Sequence, residues 1–291
     1  MRLRRLFVKK TKKFIIKKLS NNFSTLFQAF NLSDRVYCDI PYVNLKFKKN
    51  SSLAKKNEII TLKIDGQILP KILETGTFDE FLYNFLKKNL KKNSLFIDVG
   101  SNHGLVSKQI SNINYIKKII CFEPVKDIFE LSRLNTKNII NIKKYNYGWS
   151  KKNGNFAFFE NPANSGDFSL IPSKQRIIKH VFKFKNANNE LKKILINNKN
   201  LQIILKTDCQ GYDTELFAYL HSKFLKKIHM YFLECKELGK NKKNFYNNIK
   251  LFDHIFVSCP LLHRITRKIN IKDLDKYFNL KVEFDLILLN Q

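Results

Sequence analysis

Two glycines follow an aspartate where an apolar segment gives way to a segment able to form a helix. Residues 95–110 read LFIDVGSNHGLVSKQI and contain Asp98, Gly100 and Gly104. Glycine lets the backbone approach a ligand, and the free N–H groups at the start of a helix attract a carboxylate or phosphate. The spacing differs from the GxGxxG of dinucleotide sites and from a P-loop. We interpret the segment as a strand, a ligand-binding loop and a helix.

An acidic residue ends the next apolar segment. Residues 118–124 read KIICFEP and follow the glycine loop at roughly the distance expected of a second strand. Glu123 at the end of this strand can accept hydrogen bonds from both hydroxyls of a ribose. A lone glutamate at a strand end is usually a solvated loop residue, but its spacing from Gly100 favours the first reading. The two segments together predict a nucleoside ligand at the carboxyl edge of a sheet.

Further motifs extend the pattern along the chain. Five segments occur in order: FIDVGSNHG (96–104), FEP (122–124), NYGWSKKNG (146–154), NSGDFSL (164–170) and LKTDCQGYDTEL (205–216). In this order and with these gaps the chain resembles the FkbM-type S-adenosylmethionine-dependent methyltransferases, a class I Rossmann-like family. The resemblance covers roughly residues 74–290.

The resemblance implies S-adenosylmethionine as the cofactor and gives roles to particular residues. It assigns the methionine part of the cofactor to four residues of the glycine loop: Asp98, Gly100, Asn102 and Gly104. Glu123 would bind the ribose. Gly148 and Trp149 would lie near the adenine, although a tryptophan here can equally be plain core. Asp208 would face the methyl group and the acceptor.

The chain also departs from the family pattern around Asp208. Gln210 and Asp213 stand where the family has two glutamates, and Lys151 replaces a common acid. Glutamine cannot act as a carboxylate base or as a strong metal ligand. The role of the first glutamate is therefore not carried over to this chain.

Methyl transfer to an alcohol requires an aligned acceptor that loses a proton, so a base or a metal ion assists. Asp208 and Glu234 end the fourth and fifth strands, which are neighbours in this fold. Asp208 is a candidate base. The carboxylates of Asp208 and Glu234 are also candidate ligands for a divalent metal ion, although no other motif in the sequence indicates a metal cofactor. An ion pair between Glu234 and Lys236 is the alternative. His103 is a further acid–base candidate by its ordinary pKa, with a plain loop contact as its alternative.

The acceptor class is narrowed by motifs that the sequence lacks. There is no NPPY or DPPY motif, which orients an amino nitrogen, and no Pro-Cys dipeptide of the cytosine C5 type. O-methylation is therefore favoured, and the resemblance suggests a sugar hydroxyl of a glycan or glycolipid precursor. Two alternatives are an RNA-directed methyltransferase, suggested by the basic charge, and a catalytically silent binding module, suggested by Gln210.

Seven apolar segments predict the strands that must position these residues: 95–99, 118–122, 140–147, 202–207, 229–233, 254–258 and 283–289. Helical or loop segments separate them, which indicates an α/β fold with right-handed crossovers. We expect a Rossmann-like, seven-stranded, mostly parallel sheet with helices on both faces and an antiparallel last strand. Residues 78–86 predict an amphipathic helix before it.

The chain divides into three predicted regions. Residues 1–20 carry nine Lys/Arg and no acid, typical of an amphipathic helix on an anionic membrane or of a solvated basic tail. Residues 21–75 form an N-terminal extension with strand-like pieces at 43–47, 59–64 and 68–73, of which the last two predict a hairpin. Residues 76–291 form the methyltransferase domain, in which 150–200 is an insertion or flap expected to contribute to acceptor choice.

The composition limits the other function classes. Lys and Arg number 54 against 24 Asp and Glu, a net charge of +30, yet only 9 Gly and 6 Pro occur among abundant Lys, Asn and Ile. This bias is typical of AT-rich coding DNA. We therefore attribute most of the positive charge to codon composition and not to function, and we do not expect nucleic acid to be the partner. No apolar run approaches the roughly 18 to 20 residues of a membrane span. Five cysteines without a CxxC pair indicate reduced thiols and therefore a cytoplasmic protein. The basic residues 1–20 would allow this protein to dock peripherally at the inner face of the membrane.

Overall fold

The computed structural model describes residues 23–26, 42–64, 67–161, 164, 166–258 and 266–290. The basic segment 1–20 and the turn expected at 65–66 lie outside the described residues. The strands, in chain order, are β1 (Phe23–Leu26), β2 (Tyr42–Phe47), β3 (Ile59–Lys63), β4 (Ser94–Val99), β5 (Ile116–Phe122), β6 (Ile142–Tyr145), β7 (Gly148–Ser150), β8 (Gly154–Glu160), β9 (Phe168–Ser169), β10 (Ile178–Asn186), β11 (Gln202–Thr207), β12 (Ile228–Cys235), β13 (His254–Ser258), β14 (Arg267–Ile269) and β15 (Phe284–Leu289). The α-helices are α1 (Ile68–Thr75), α2 (Glu80–Asn89), α3 (Leu105–Ile110), α4 (Lys126–Asn135), α5 (Ala187–Asn197), α6 (Asp213–Tyr219), α7 (Ser222–Leu225), α8 (Lys242–Ile249) and α9 (Leu274–Asn279).

The largest sheet has the strand order β14-β13-β15-β12-β11-β4-β5-β6. β15 is antiparallel to both of its neighbours and β14 is antiparallel to β13, whereas the other pairs are parallel. The chain runs outward through β4, β5 and β6 and then returns to β11 beside β4. This reversal is the topological switch point of a Rossmann-like α/β fold, and ligands bind at the carboxyl ends of the strands there.

Helices cover both faces of this sheet, as the alternation of side chains along β4 requires. Leu95 and Ile97 belong to a buried cluster on one face that also contains Leu191 of α5. Phe96 points the other way and packs with Leu82 of α2 and with residues of α3. Every residue of β4 is buried, so this strand lies at the centre of the fold.

The expected α/β class is confirmed, but the expected count of seven strands was wrong. The eighth strand, β14, has only three residues, and Arg267 and Lys268 within it are exposed, so no apolar pattern marks it. The segment 140–147 was expected to be one strand and instead ends as β6 at Tyr145. Asn146 then donates through Nδ2 to the carbonyl oxygens of Glu123 and Pro124 at 2.9 and 3.2 Å, which separates β6 from β7.

A four-stranded sheet with the order β7-β10-β8-β9 is formed mainly by the insertion at 150–200. Its inner face carries Phe158, Phe168 and Phe184, which pack against apolar residues of α4, including Ile128 and Leu131. The insertion is therefore folded onto the helix that follows β5, close to the carboxyl edge of the main sheet.

The N-terminal region forms a third sheet with the order β1-β2-β3, all antiparallel. The expected strand at 68–73 was wrong, because these residues form α1. Ile68, Leu69, Ile72 and Leu73 are buried and recur at helical spacing rather than in alternation. The helix ends at Gly76, whose backbone is left-handed with φ 72° and whose N–H bonds the carbonyl of Ile72.

The helix expected at 78–86 is present as α2. The side chain of Asp79 accepts a hydrogen bond from the N–H of Leu82 at 3.1 Å and caps its first turn. Among the described residues, no helix has the length and apolar character needed to cross a membrane. The cysteines that the structure describes, Cys121, Cys209 and Cys235, are free thiols.

Candidate cofactor and acceptor site

A cavity of about 380 Å³ opens at the carboxyl ends of β4, β5, β11 and β12. Its wall includes Gly100, Glu123, Asp208 and Glu234, which follow or end these four strands. The size is that of a small-molecule site. Residues that the sequence places far apart, and for which it predicts cofactor binding and catalysis, therefore share one cavity.

Gly100 sits where the loop after β4 crosses the loop after β11. Its φ is 80°, and a Cβ atom there would lie 2.0 Å from the backbone oxygen of Asp208. The N–H groups of Gly100 and Ser101 both donate to the carbonyl oxygen of Phe122 at 3.0 Å. Only glycine fits this crossing, so Gly100 lets the loop after β4, which we call the candidate cofactor loop (residues 100–104), lie against the loop after β11 (residues 208–212), the candidate catalytic loop.

The other glycine of the loop serves helix packing. Gly104 has φ 74° at the start of α3, and a Cβ atom there would lie 2.5 Å from Oγ of Ser132 on α4. Gly104 does not line the cavity, although its neighbours His103 and Leu105 do, and its expected contact with the cofactor stays a prediction. Asn102 does line it, and its Oδ1 accepts a hydrogen bond from the N–H of His103 at 2.7 Å.

Asp98 is fully buried beneath the loop after β4 and does not line the cavity, and its expected contact with the cofactor stays a prediction. Its Oδ2 accepts a hydrogen bond from Oγ of Ser107 at 2.6 Å, and its Oδ1 lies 3.5 Å from Nζ of Lys206. Burial raises the pKa of the Asp98 carboxyl, while Lys206 opposes that shift. Asp98 therefore holds Ser107 of α3 and Lys206 of β11 in place beneath the cavity.

Lys206 is a residue whose role the sequence reasoning missed. It stands inside the buried strand β11, and its Nζ lies between Asp98 Oδ1 and Asp208 Oδ2, the latter at 3.2 Å. Burial by itself would lower the pKa of this ammonium, but the carboxylates of Asp208 and Asp98 outweigh burial and raise it. A lysine in the middle of an apolar strand was the available signal, because a buried charge needs a partner.

Glu123 has the position that the sequence predicted, with its carboxylate held by backbone donors. Oε2 accepts the N–H of Asn102 at 2.9 Å, and Oε1 accepts the N–H of Val125 at 2.8 Å. Burial raises the pKa of this carboxyl to about 7, although the two N–H groups favour its charged form. Each oxygen retains a lone pair, so the group can still accept hydroxyls of a bound ligand.

Trp149 lies in β7 on the same wall and is 1% exposed. Its ring packs on Phe122 with centroids 5.0 Å apart, so it is part of the core. Its Nε1 is buried and has no hydrogen-bond partner among the described residues, and the same holds for Oγ of Ser101 in the cofactor loop. Two buried polar atoms in the wall of one cavity are suited to a polar ligand.

Asp208 and Glu234 are joined by the side chain of Gln210. Nε2 of Gln210 donates to Oδ1 of Asp208 at 2.9 Å and to Oε2 of Glu234 at 3.2 Å. Burial raises the pKa of Glu234 well above its ordinary value, and the charge of Asp208 adds to the shift. The substituted glutamine, which the sequence treated only as a loss, is thus the link between the two carboxylates.

The expected neighbourhood of Asp208 and Glu234 is therefore present in the structure. Within the described residues, no ion pair joins Glu234 to Lys236, and no group of three or more His, Cys, Asp or Glu side chains is arranged to hold a metal ion. Asp213 does not face the cavity: both of its carboxylate oxygens accept the N–H of Cys209 at 3.0 Å and hold the loop after β11.

His103 lines the cavity and makes a contact with the N-terminal sheet, and its acid–base role stays a prediction. It is 1% exposed, and its Nε2 accepts the backbone N–H of Lys63 in β3 at 3.2 Å. A nitrogen that accepts a backbone N–H is not available to take a proton from an acceptor. His103 therefore ties the cofactor loop to the N-terminal sheet, and we leave it out of the proposed chemistry.

The fold and the site define a Rossmann-like α/β protein with a polar ligand cavity at the switch point of its sheet. No protein-family model matches the chain, and no curated protein matches it. The FkbM-type resemblance thus stays a hypothesis.

Solved structures of methyltransferases are similar to the chain. An rRNA methylase from Streptococcus thermophilus is 10% identical, with a TM-score of 0.40 over 72% of this chain and 93% of that one. Precorrin-6y C5,15-methyltransferase from Geobacter metallireducens is 10% identical, with a TM-score of 0.38 over 74% and 89%. TrmK of M. capricolum, in complex with S-adenosyl-homocysteine, is 12% identical, with a TM-score of 0.35 over 72% and 67%. At these values the likeness concerns the fold, so the function is argued from the site.

Proposed function

We propose that this protein is an S-adenosylmethionine-dependent O-methyltransferase that acts on a sugar hydroxyl of a glycan or glycolipid precursor, as its FkbM-type motifs suggest. The observation that carries the proposal is the single cavity shared by the glycine loop, Glu123 and the carboxylates of Asp208 and Glu234. Docking of residues 1–20 on an anionic membrane at the inner face of the cell belongs to the same proposal.

The residues of the wall fit the cofactor. Glu123 offers acceptor lone pairs for ribose hydroxyls, and the buried Nε1 of Trp149 and Oγ of Ser101 are donors without a partner among the described residues. S-adenosylmethionine, when bound, supplies an electrophilic methyl group. The protein must hold the acceptor oxygen in line with that group and remove its proton.

The two carboxylates divide the work on the acceptor. Asp208 accepts hydrogen bonds from both Lys206 and Gln210, so both of its carboxylate oxygens already have a partner in the protein. Glu234 is raised in pKa by burial and by Asp208, so its ionised form takes a proton more readily. We assign Glu234 as the proton acceptor and Asp208 as the group that orients the hydroxyl.

The charge at the acceptor end supports a neutral polyhydroxyl substrate. In addition to Asp208 and Glu234, the carboxylates of Glu283 and Asp285 line the cavity, although the chain as a whole carries +30. Carboxylates accept hydrogen bonds from sugar hydroxyls but repel phosphate groups. The global charge favours the second candidate, an RNA-directed methyltransferase, and the local charge favours the sugar.

A single experiment separates the candidates. The protein is incubated with methyl-labelled S-adenosylmethionine and with fractionated polysaccharide, lipid and RNA from the source cell. The proposal expects label in the polysaccharide or lipid fraction. Label in RNA that is lost steeply with salt supports the RNA enzyme, and cofactor binding without transfer to any fraction supports the silent module. Calorimetry that detects no cofactor binding would reject all three.

The carboxylates should control the rate without controlling cofactor binding. We expect Glu234→Gln to lower the rate of methyl transfer by roughly 100- to 10,000-fold, because a general base contributes that much. Asp208→Asn should lower it by roughly 100-fold, because the acceptor hydroxyl loses its alignment. Calorimetry should show S-adenosylmethionine affinity within a few-fold of the unaltered protein. Glu130→Gln, on the exposed side of α4, is the matched control. Full activity in both site variants would contradict the assignment.

Cofactor binding should depend on pH through Glu123. Its carboxyl has a pKa of about 7, so it is charged and able to accept two hydroxyls above that value. As the pH falls below about 7, protonation removes the charge and turns one of the two acceptor oxygens into a donor, and we expect S-adenosylmethionine affinity to weaken by up to about tenfold per pH unit. Calorimetry from pH 5.5 to 8 measures the trend. Glu123→Gln should bind weakly at every pH, and a pH trend that survives this substitution would assign the effect elsewhere.

A further inference from the structure

The insertion touches the catalytic loop through Arg176. This guanidinium, 14% exposed, donates from Nε to Oδ1 of Asp167 at 2.6 Å and from Nη1 to the carbonyl oxygen of Ile171 at 3.1 Å. Its Nη2 donates to the carbonyl oxygen of Gln210 at 2.9 Å. A planar fork that uses three donors fixes its partners more firmly than a lysine does. Arg176 thus joins two parts of the insertion to the loop that follows β11.

The backbone of Gln210 has a strained conformation that contacts such as those of Arg176 stabilise. Its φ is 51°, in the left-handed region that residues with a side chain rarely adopt. The loop is held from within, where Asp213 accepts the N–H of Cys209. It is held from outside by Arg176 and by Ser169 of β9, whose Oγ donates to the carbonyl oxygen of Cys209 at 3.3 Å. Both outer contacts come from the insertion.

The side chain of Gln210 transmits that support to the carboxylates. One amide nitrogen donates to both Asp208 and Glu234, so the place of this nitrogen sets the separation of the two groups. Arg176 itself does not line the cavity. Two routes lead from Arg176 to the acceptor chemistry: the Gln210 backbone, which it contacts directly, and Asp167 and Ile171, whose neighbours Phe168 and Leu170 line the cavity. The double-mutant cycle below separates them.

We propose that Arg176 is a positioning residue: by holding the Gln210 carbonyl, it fixes the amide that joins Asp208 to Glu234 and couples the docked insertion to the catalytic geometry. The proposal rests on the proposed function for its kinetic consequence, but its structural part stands on these contacts alone. The insertion then has two roles: Phe158, Phe168 and Phe184 form part of the cavity wall, and Arg176 supports the catalytic pair from outside.

The structural part is tested by NMR on protein labelled with ¹⁵N-glutamine. The side-chain amide signals of Gln210 are identified by their absence from Gln210→Ala. In Arg176→Ala we expect these signals to shift and to exchange with solvent several-fold faster, because the amide loses its fixed place. Arg176→Lys should give a smaller change. Arg133→Ala, which breaks an exposed pair on α4, is the matched control and should leave the signals in place.

The kinetic part is tested with a double-mutant cycle. Arg176→Ala should lower the rate of label transfer to the polysaccharide or lipid fraction by roughly 10- to 100-fold at unchanged cofactor affinity, since a small misplacement of reacting groups has that effect. If Arg176 acts through Gln210, the pair Arg176→Ala/Gln210→Ala should be no slower than Gln210→Ala alone. Circular dichroism confirms that each variant is folded, and Arg176→Lys replaces Arg176→Ala if it is not.

The outcomes are distinct. Unchanged Gln210 amide signals in folded Arg176 variants overturn the proposal, and so do rate losses that simply add in the double variant. If the unaltered protein transfers label to no fraction while the amide signals change in Arg176→Ala, the proposed function fails and the positioning role of Arg176 stands.

Discussion

Replacing Lys206 by methionine is expected to lower the free energy of unfolding by roughly 3 to 5 kcal/mol at neutral pH. Methionine keeps most of the aliphatic length but removes the ammonium that lies between Asp98 and Asp208. Asp98 is 0% exposed, so its charge would remain buried without a cation. Chemical denaturation of the two proteins measures the loss as a shift of the unfolding midpoint, provided that the dependence of the free energy on denaturant concentration is the same for both.

The pH dependence identifies the cause of that loss. In the unaltered protein the raised pKa of Lys206 means that its contribution is fully present at neutral pH and is lost only in strong alkali. In Lys206→Met, burial still raises the pKa of Asp98, and the carboxyl can escape its unpaired charge by taking up a proton, so the difference in stability should be smaller at acidic than at neutral pH. The double variant Lys206→Met/Asp98→Asn should recover part of the lost stability, because it has no buried charge at position 98. Lys117→Met, at an exposed lysine of β5, is the control, and a loss that is equal at both pH values would point to packing instead.

Gly100→Ala is expected to abolish cofactor binding and to cost roughly 2 to 5 kcal/mol of stability. The new methyl group would lie 2.0 Å from the carbonyl oxygen of Asp208, which is backbone and cannot swing aside. The φ of 80° adds strain for any residue with a side chain. The loops after β4 and β11 would have to separate, and the cavity wall would open. Calorimetry with S-adenosylmethionine and thermal unfolding measure the two effects.

The chain provides its own control for backbone strain. Gly211 has a φ of 89°, but a Cβ atom there would meet nothing within 4 Å. Gly211→Ala therefore carries the strain without the collision and should cost only about 1 to 3 kcal/mol. Equal losses of cofactor affinity in the two variants would show that strain, and not the close approach of the two loops, governs the site.

The sequence identified the site where chemistry restricts the choice of residue. The buried run of β4, the glycine at the crossing of two loops and the acid that ends β5 each have few physical alternatives, so 95–99, Gly100 and Glu123 were correctly placed. Asp208 and Glu234 were correctly paired because the ends of neighbouring parallel strands must meet at one edge.

The parts that were missed depend on tertiary contacts. Ile68–Thr75 contains both strand-like and helix-like spacing, and only its burial against the N-terminal sheet decides for a helix. The sequence did not pair Asp98 with Lys206, because Lys206 lies 108 positions further along the chain. Gln210 was read as a defect, since no local pattern shows that its amide reaches two carboxylates.

The N-terminal sheet has a consequence for how the protein can be shortened. Leu105 at the start of α3 belongs to the same buried cluster as Leu45 and Ile60, and Lys63 donates to His103 in the cofactor loop. Asn135 of α4 donates both to Thr61 and to the carbonyl oxygen of His103, at 2.9 and 3.0 Å. A fragment that begins at residue 76 would keep every strand of the main sheet. It would lose the contacts that the N-terminal sheet makes with the loop after β4. Such a truncation should fail first in ligand affinity, before its sheet unfolds.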